Sequence, residues 1–258
     1  MTIQLLVSVR DVPEALLAAC GGADFIDLKE PGQGALGGLS VATIRAIVAA
    51  LHGQRGGQDG GQASAPAPRR LPISATIGDV PMHALAEIQS RVRAVGACGV
   101  DYVKVGIERG PQAAAVLDWL AGCGFAVVPV FIADHGLDDA LWRQALKLPF
   151  AGVMLDTADK LAGCLFDVMP PAALRLAVAQ AREAGLMMGL AGALRLPHLD
   201  GLRALAPDFA GFRSAVCAGA RSGDLDPARL AALALALHAP LAQKVSSSPP
   251  TRLAVSTP

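Results

Sequence analysis

This sequence predicts an α/β fold, a single (β/α)8 TIM barrel, on three observations. Short apolar runs alternate with amphipathic helical stretches along most of the chain, about eight times in succession. The length of 258 residues suits such a barrel as one unit. A composition that is 53% hydrophobic and 17% charged supplies a sizeable core and argues against disorder. Strict strand–helix alternation calls for a parallel sheet with helices outside, and an eightfold count at this length favours closure over a doubly wound sheet.

The elements read in order. Ile3–Val9 is a first strand, followed by a helix that Asp11 opens, with Pro13 in its first turn and Gly21-Gly22 beyond its end. Phe25–Lys29 is the second strand; it runs into the turn-rich Glu30-Pro31-Gly32-Gln33-Gly34 and then a helix from about Ser40 to His52. Leu71–Ile77, Tyr102–Gly106, Ala126–Ile132, Gly152–Asp156, Leu186–Ala191 and Phe209–Ser214 are the later strands. Helical patterns fill the gaps, among them Met82–Cys98, Pro111–Cys123, Pro170–Ala184 and Pro227–His238.

Two segments fall outside this scheme. Residues 53–70, rich in Gly, Gln, Ala and Pro, form a low-complexity insertion. It follows a helix, so it is expected to be a flexible loop on the barrel face away from the strand C-termini. Residues 241–258, rich in Ser and Pro, are expected to be a disordered tail behind a catalytic domain of residues 1–240.

Charge and cysteine usage bound the function. Net charge is zero and the pI is about 7.0, which leaves no basic stripe for nucleic acid and no polybasic patch for anionic lipid. The apolar stretches are short and broken by Asp, Lys or Gly, so none suits a bilayer. The amino terminus lacks the charged region and cleavage site of a signal peptide. Cys20, Cys98, Cys123, Cys164 and Cys217 are odd in number and form no Cys-x-x-Cys, the usage of reduced thiols in a cytoplasmic protein. The five histidines are scattered with no ligand spacing, so no metal site is expected. No Gly-x-Ser-x-Gly elbow or P-loop occurs.

Lysine carries the chemical signal. Of 22 basic residues, only Lys29, Lys104, Lys147, Lys160 and Lys244 are lysine. Lys29, Lys104 and Lys160 stand at or just past the ends of strand-like runs. Arginine serves solubility equally well, but lysine alone can be tuned to the neutral amine that attacks a carbonyl or takes a proton. Catalytic side chains of such barrels stand at the strand C-termini. Asp27 and Lys29 are two apart and so point the same way, toward the axis. With Lys104, Asp156 and Lys160 they place three amines and two carboxylates at one mouth, where clustered ammonium groups lower a lysine pKa and carboxylates oppose that shift. A network of buried ion pairs is the competing account, as is chance clustering of exposed lysines; ion pairs do not call for lysine over arginine.

Other strand ends add candidates. The turn Gly192-Ala193-Leu194-Arg195 after strand seven and the segment Arg213–Arg221, with Ser214, after strand eight lie where barrels commonly hold phosphate on loop amides and a short helix N-terminus. Their small residues serve equally as tight turns. Ser8, Ser74 and Thr76 end strands one and three, as substrate contacts, helix caps or a polar plug, and Asp79, soon after Gly78, is expected to be a cap or part of that plug. Asp134-His135 offers a base or, before Gly136, a helix cap.

A set of segments then resembles one family, (5-formylfuran-3-yl)methyl phosphate synthase, known from methanogenic archaea and methylotrophic bacteria. They are Leu5-Leu6-Val7-Ser8, Gly22–Pro31 with Gly34-Ala35-Leu36-Gly37, Ser74–Pro81, Asp101–Gly106, Met154–Ala158 and Ala191-Gly192-Ala193. The similarity runs in order from the first strand to about His238. It implies a TIM-barrel lyase that needs no cofactor and condenses two glyceraldehyde 3-phosphates into 4-(hydroxymethyl)-2-furancarboxaldehyde phosphate, for methanofuran or a related C1 carrier. It further implies that Lys29 forms the Schiff base and Lys104 accepts protons, with Asp27, Asp156 and Lys160 completing the mouth. Ser8, Ser74, Gly192, Ala193, Arg213 and Ser214 are the expected substrate and phosphate contacts. The expected partners are a small triose phosphate and further copies of the chain. Another Schiff-base aldolase acting on triose phosphates, and a catalytically silent barrel serving assembly or regulation, stand as alternatives.

Overall fold

The computed structural model describes residues 2–34, 36–53, 70–159 and 163–239. Among these, eight parallel strands close on themselves in the order β1-β2-β3-β4-β5-β6-β7-β8, with β1 also paired to β8. The strands are β1 Gln4–Val9, β2 Phe25–Leu28, β3 Ile73–Thr76, β4 Tyr102–Ile107, β5 Val127–Ile132, β6 Gly152–Asp156, β7 Met187–Leu190 and β8 Phe209–Phe212. The helices are α1 Val12–Cys20, α2 Val41–Gly53, α3 Leu85–Gly96, α4 Ala113–Ala121, α5 Asp139–Ala145, α6 Leu165–Val168, α7 Pro171–Glu183, α8 Leu199–Leu205 and α9 Pro227–His238. The expected (β/α)8 barrel is what the chain forms.

Alternation along the strands sorts the apolar residues into two cores. Outward residues such as Leu5, Val7, Ile26, Leu28, Ile73, Val103, Val153 and Leu155 pack under the helices. Burying each such side chain contributes roughly 1.5–3 kcal/mol. Inward residues form a separate cluster of Leu6, Phe25, Val128, Val130, Met154, Ala191 and Phe209, capped by Leu36. Deep in the barrel the Phe25 ring lies 5.4 Å from Phe209 and 6.3 Å from Tyr102. This aromatic layer closes the bottom of the barrel, so polar inward residues can collect only nearer the strand C-termini.

Local chemistry sets several boundaries. Asp11 caps α1 by accepting from the Glu14 N–H, and Asp138 and Asp226 cap α5 and α9 in the same way. α3 begins at Leu85, later than expected, because Pro81 and Ala84 close a separate turn first. α6 stops at Val168 and α7 starts at Pro171, since Pro170-Pro171 removes the backbone donors that would join them. The last strand ends at Phe212, short of the expected Ser214; there the chain turns at Arg213 into a 3-10 turn over Ser214–Val216. Gly53 ends α2 and Arg70 precedes β3, so both ends of the low-complexity insertion stand at the strand N-terminal face. Residues 54–69 and 240–258 lie outside the described residues, and with them the expectations of a flexible loop and a disordered tail. No helix among the described residues is long and apolar enough to cross a membrane.

Candidate active site

At the strand C-termini a cavity open to solvent is lined among others by Ser8, Asp27, Lys29, Lys104, Asp156, Gly192, Ala193, Arg213, Ser214 and Arg221. Register explains how its polar layer forms. Ser8 pairs with Asp27, Asp27 with Ser74 and Thr76 with Lys104 along the ladders β1·β2·β3·β4. Inward residues at one height therefore meet above the aromatic layer.

Asp27 is the hub of that layer. Its Oδ1 accepts from Lys104 Nζ at 2.8 Å and from Ser74 Oγ at 2.7 Å, while its Oδ2 accepts from Ser8 Oγ at 3.0 Å. Lys29, just past β2, reaches across the mouth to Asp156 Oδ2 at 3.4 Å, and the other Asp156 oxygen accepts from the Thr157 N–H. Asp27, Lys29, Lys104 and Asp156 are all 6% exposed or less. The cavity thus holds two lysine–carboxylate pairs, one long and one short. The long one is Lys29–Asp156.

Electrostatics separate the roles of these groups. Burial lowers the Lys104 pKa from the ordinary lysine range, the Lys29 charge adds to this, and Asp27 and Asp156 only partly offset it. Lys104 Nζ also lies 5.9 Å from the centre of the Phe209 ring, and beneath it is a small cavity walled by Leu6, Phe25, Tyr102, Val128, Met187 and Phe209. Burial alone would raise the Asp27 pKa; the Lys104 and Lys29 charges and the Lys104 and Ser74 hydrogen bonds outweigh it, so Asp27 stays below the ordinary carboxylate range. A carboxylate fixed in its ionised form beside an amine eased toward neutrality is an arrangement for proton transfer.

The remaining expected residues take several places. Gly192 (φ 111°) and Ala193 (φ 48°) both adopt left-handed backbone after β7, and Gly192 packs so closely on Thr157 that a side chain there would collide. Ser214, just past the neighbouring β8, lines the same cavity. Arg213 is committed to the protein: Nε donates to the Arg221 carbonyl, Nη1 to Ser8 O and Glu14 Oε2, and Nη2 to Glu14 Oε1 and Gly223 O. All five of its N–H donors are therefore used. Lys160 lies outside the described residues.

Two of the weaker sequence candidates have structural duties. Asp79 accepts from the Leu36 N–H and Thr76 donates to the Leu36 carbonyl, which seats Leu36 over the barrel as the inner edge of the cavity. Asp134 accepts from the Ala158 and Asp159 N–H groups and so holds the loop after β6; His135 beside it is exposed. Cys164 approaches His198 at 3.6 Å, but the other His198 nitrogen accepts the Arg195 N–H and burial raises the thiol pKa, an arrangement opposed to a thiolate nucleophile. Among the described residues no group of three or more His, Cys, Asp or Glu is placed to hold a metal ion. The expected segment after strand eight brings both of its terminal arginines, Arg213 and Arg221, to the cavity lining, and only the folded loop shows that Arg213 spends its donors on protein acceptors.

Comparison with known proteins follows the same geometry. The family model described as 4-HFC-P synthase matches residues 5–234. A Methylorubrum extorquens protein provisionally named (5-formylfuran-3-yl)methyl phosphate synthase is 37% identical over 237 residues, 92% of each chain. The Archaeoglobus fulgidus (5-formylfuran-3-yl)methyl phosphate synthase is 32% identical over 257 residues, 92% of this chain and 100% of that one. Among solved structures, phosphoribosyl anthranilate isomerase from Thermus thermophilus superposes with a TM-score of 0.58 at 19% identity, covering 91% of this chain and 98% of that one. That last likeness concerns the barrel alone.

Proposed function

This chain belongs to the 4-HFC-P synthase family, and we propose that it is a cytoplasmic lyase condensing two glyceraldehyde 3-phosphates into (5-formylfuran-3-yl)methyl phosphate through a Schiff base on Lys29. The product feeds methanofuran or a related C1 carrier. The observation that supports this reading best is the pair of buried lysine–carboxylate contacts, Lys29–Asp156 and Lys104–Asp27, in one cavity at the strand C-termini.

Each residue then has a chemical task. The Lys29 amine adds to a triose phosphate carbonyl; Asp156, 3.4 Å away, takes up and returns the protons of carbinolamine formation and dehydration. The iminium draws electrons from the neighbouring carbon, which loses a proton and attacks the aldehyde of the second triose. Lys104, eased toward its neutral form, accepts that proton, and Asp27 holds it in place and stabilises it once charged. β-Elimination then expels one phosphate, a net loss of two waters, as the atom balance requires, makes the ring aromatic, and cleavage of the Lys29 C–N bond releases the product and returns the free amine. Ser8 and Ser74, bonded to Asp27, fix the carboxylate so that its charge does not follow the moving proton. No step in this scheme calls on a metal or cofactor.

The experiment is direct. The purified protein is incubated with glyceraldehyde 3-phosphate and a strong chelator, and furan absorbance and free phosphate are followed together. Equal rates of appearance support the reading. Phosphate without furan, or activity that returns only with added zinc or magnesium, contradicts it.

A further inference from the structure

The two arginines after β8 divide one task between them. Arg213, at the end of β8, spends all five donors on protein acceptors and is 7% exposed. Two of those acceptors are the Arg221 and Gly223 carbonyls, at 3.0 and 2.6 Å. The loop they belong to is pinned further by the Cys217–Leu225 bridge, by the Ala218 N–H to Asp224 O bond, and by Arg10, whose guanidinium contacts Ser222 O and Asp224. Arg213 is in turn anchored by Glu14 at the start of α1. It is a strut, and its length sets where the Arg221 backbone stands.

The Arg221 side chain points the other way. It lines the Lys29 cavity, and its Nη1 contacts the Pro31 and Gly34 carbonyls at 3.4 Å each. Both are at the outer limit of a hydrogen bond. Arg221 therefore spans from the β8–α9 loop to the loop that follows Lys29, within the same cavity as Gly192, Ala193 and Ser214. Asp156 and Asp79 exert the main attractive fields on it, and Asp156 is the partner of Lys29.

We propose that Arg221 is the guanidinium that binds the phosphate of the triose held on Lys29, and that Arg213 is a positioning residue that acts through it without touching the ligand. A planar guanidinium suits a phosphate monoester because two N–H groups can face two oxygens. The left-handed turn at Gly192-Ala193, after the neighbouring β7, lines the same cavity. The identity of the ligand rests on the triose phosphate reading above; the site itself rests on the geometry.

The test measures binding without turnover. Glycerol 3-phosphate and inorganic phosphate are titrated into the intact protein by calorimetry, with glycerol as the control that lacks a phosphate. Arg221→Ala should weaken both phosphate ligands by about tenfold or more, the size of a lost charge-assisted contact, and Arg221→Lys should recover part of the loss. Arg213→Gln, or Arg213→Lys where the first does not fold, should weaken them too. Added to Arg221→Ala it should cost little more, because both act through one contact. A role of Arg213 in folding alone would lower the melting temperature without this loss of additivity. Unchanged phosphate affinity in Arg221→Ala overturns the assignment, and so does a full further loss from Arg213 in the double variant. Phosphate binding that depends on Arg221 in a protein that makes no furan would instead sink the proposed reaction and leave the site standing.

Discussion

Asp27 and Lys104 meet at 2.8 Å across the barrel interior although their strands are not neighbours: β3 runs between them, and its Ser74 bonds the same Asp27 oxygen. Both residues are 3% exposed. A buried pair of this kind gains little net stability over an apolar core, yet removing one partner leaves the other charge uncompensated. Retention of a costly pair at a cavity wall is expected where its charges are used.

Asp27→Asn keeps the shape, removes the charge and strands Lys104. Urea unfolding should show a loss of about 3–5 kcal/mol, the usual cost of breaking a buried pair. Adding Lys104→Met should restore much of that stability. A variant as stable as the parent, or a double variant no better than the single one, would mean that the two groups do not form an ion pair.

Lys104→Arg should slow product formation by about a hundredfold or more, the scale of a general-base effect, because guanidinium keeps the charge but does not release its proton. In the parent protein the rate should rise with pH along a limb below the ordinary lysine range, since burial lowers the Lys104 pKa. Stability follows with a defined sign. The unfolded chain binds a proton at Lys104 where the folded one has released it, so this group makes stability rise with pH between the two values. Asp27 acts at the acid end: its folded pKa is depressed, so its contribution is complete above the ordinary carboxylate range and falls away as pH drops through the folded value. A rate that is flat from neutral pH up to the lysine range would remove Lys104 from the proton-transfer role.

Replacing residues 54–69 with a short Gly-Ser link should leave turnover within about twofold, because long surface connections cost little to change. The described ends, Gly53 and Arg70, stand at the face opposite the cavity. Steady-state kinetics of the shortened protein decide the point; a large loss of activity with an unchanged melting temperature would tie the segment to the site.

Much of the site was legible in the chain because it follows from alternation. Asp27 and Lys29 share a side of β2 by the two-residue period, and Asp156 ends β6 as expected; Lys104 faces inward from the middle of β4, which runs on to Ile107. What alternation does not encode is which loop donors are already taken. Arg213 looked like a phosphate contact from its place after β8, yet Glu14, 199 residues away in sequence, claims it through a tertiary contact that no local pattern announces. The seat of Leu36 has the same origin, since it depends on Thr76 at the end of β3 and Asp79 in the loop beyond it. Strand ends and helix caps are local and readable; the partners of long polar side chains are set by packing.

A covalent bond between the substrate and Lys29 is the central step of the proposed reaction. Borohydride added during turnover with glyceraldehyde 3-phosphate should reduce the Schiff base and leave a substrate-derived mass on the peptide that contains Lys29, read by mass spectrometry. Lys29→Arg should abolish both that mass and the activity, while Lys104→Arg should still trap substrate on Lys29. An adduct found on Lys104 or Lys160 in the parent protein, with Lys29→Arg still trapped, would contradict it.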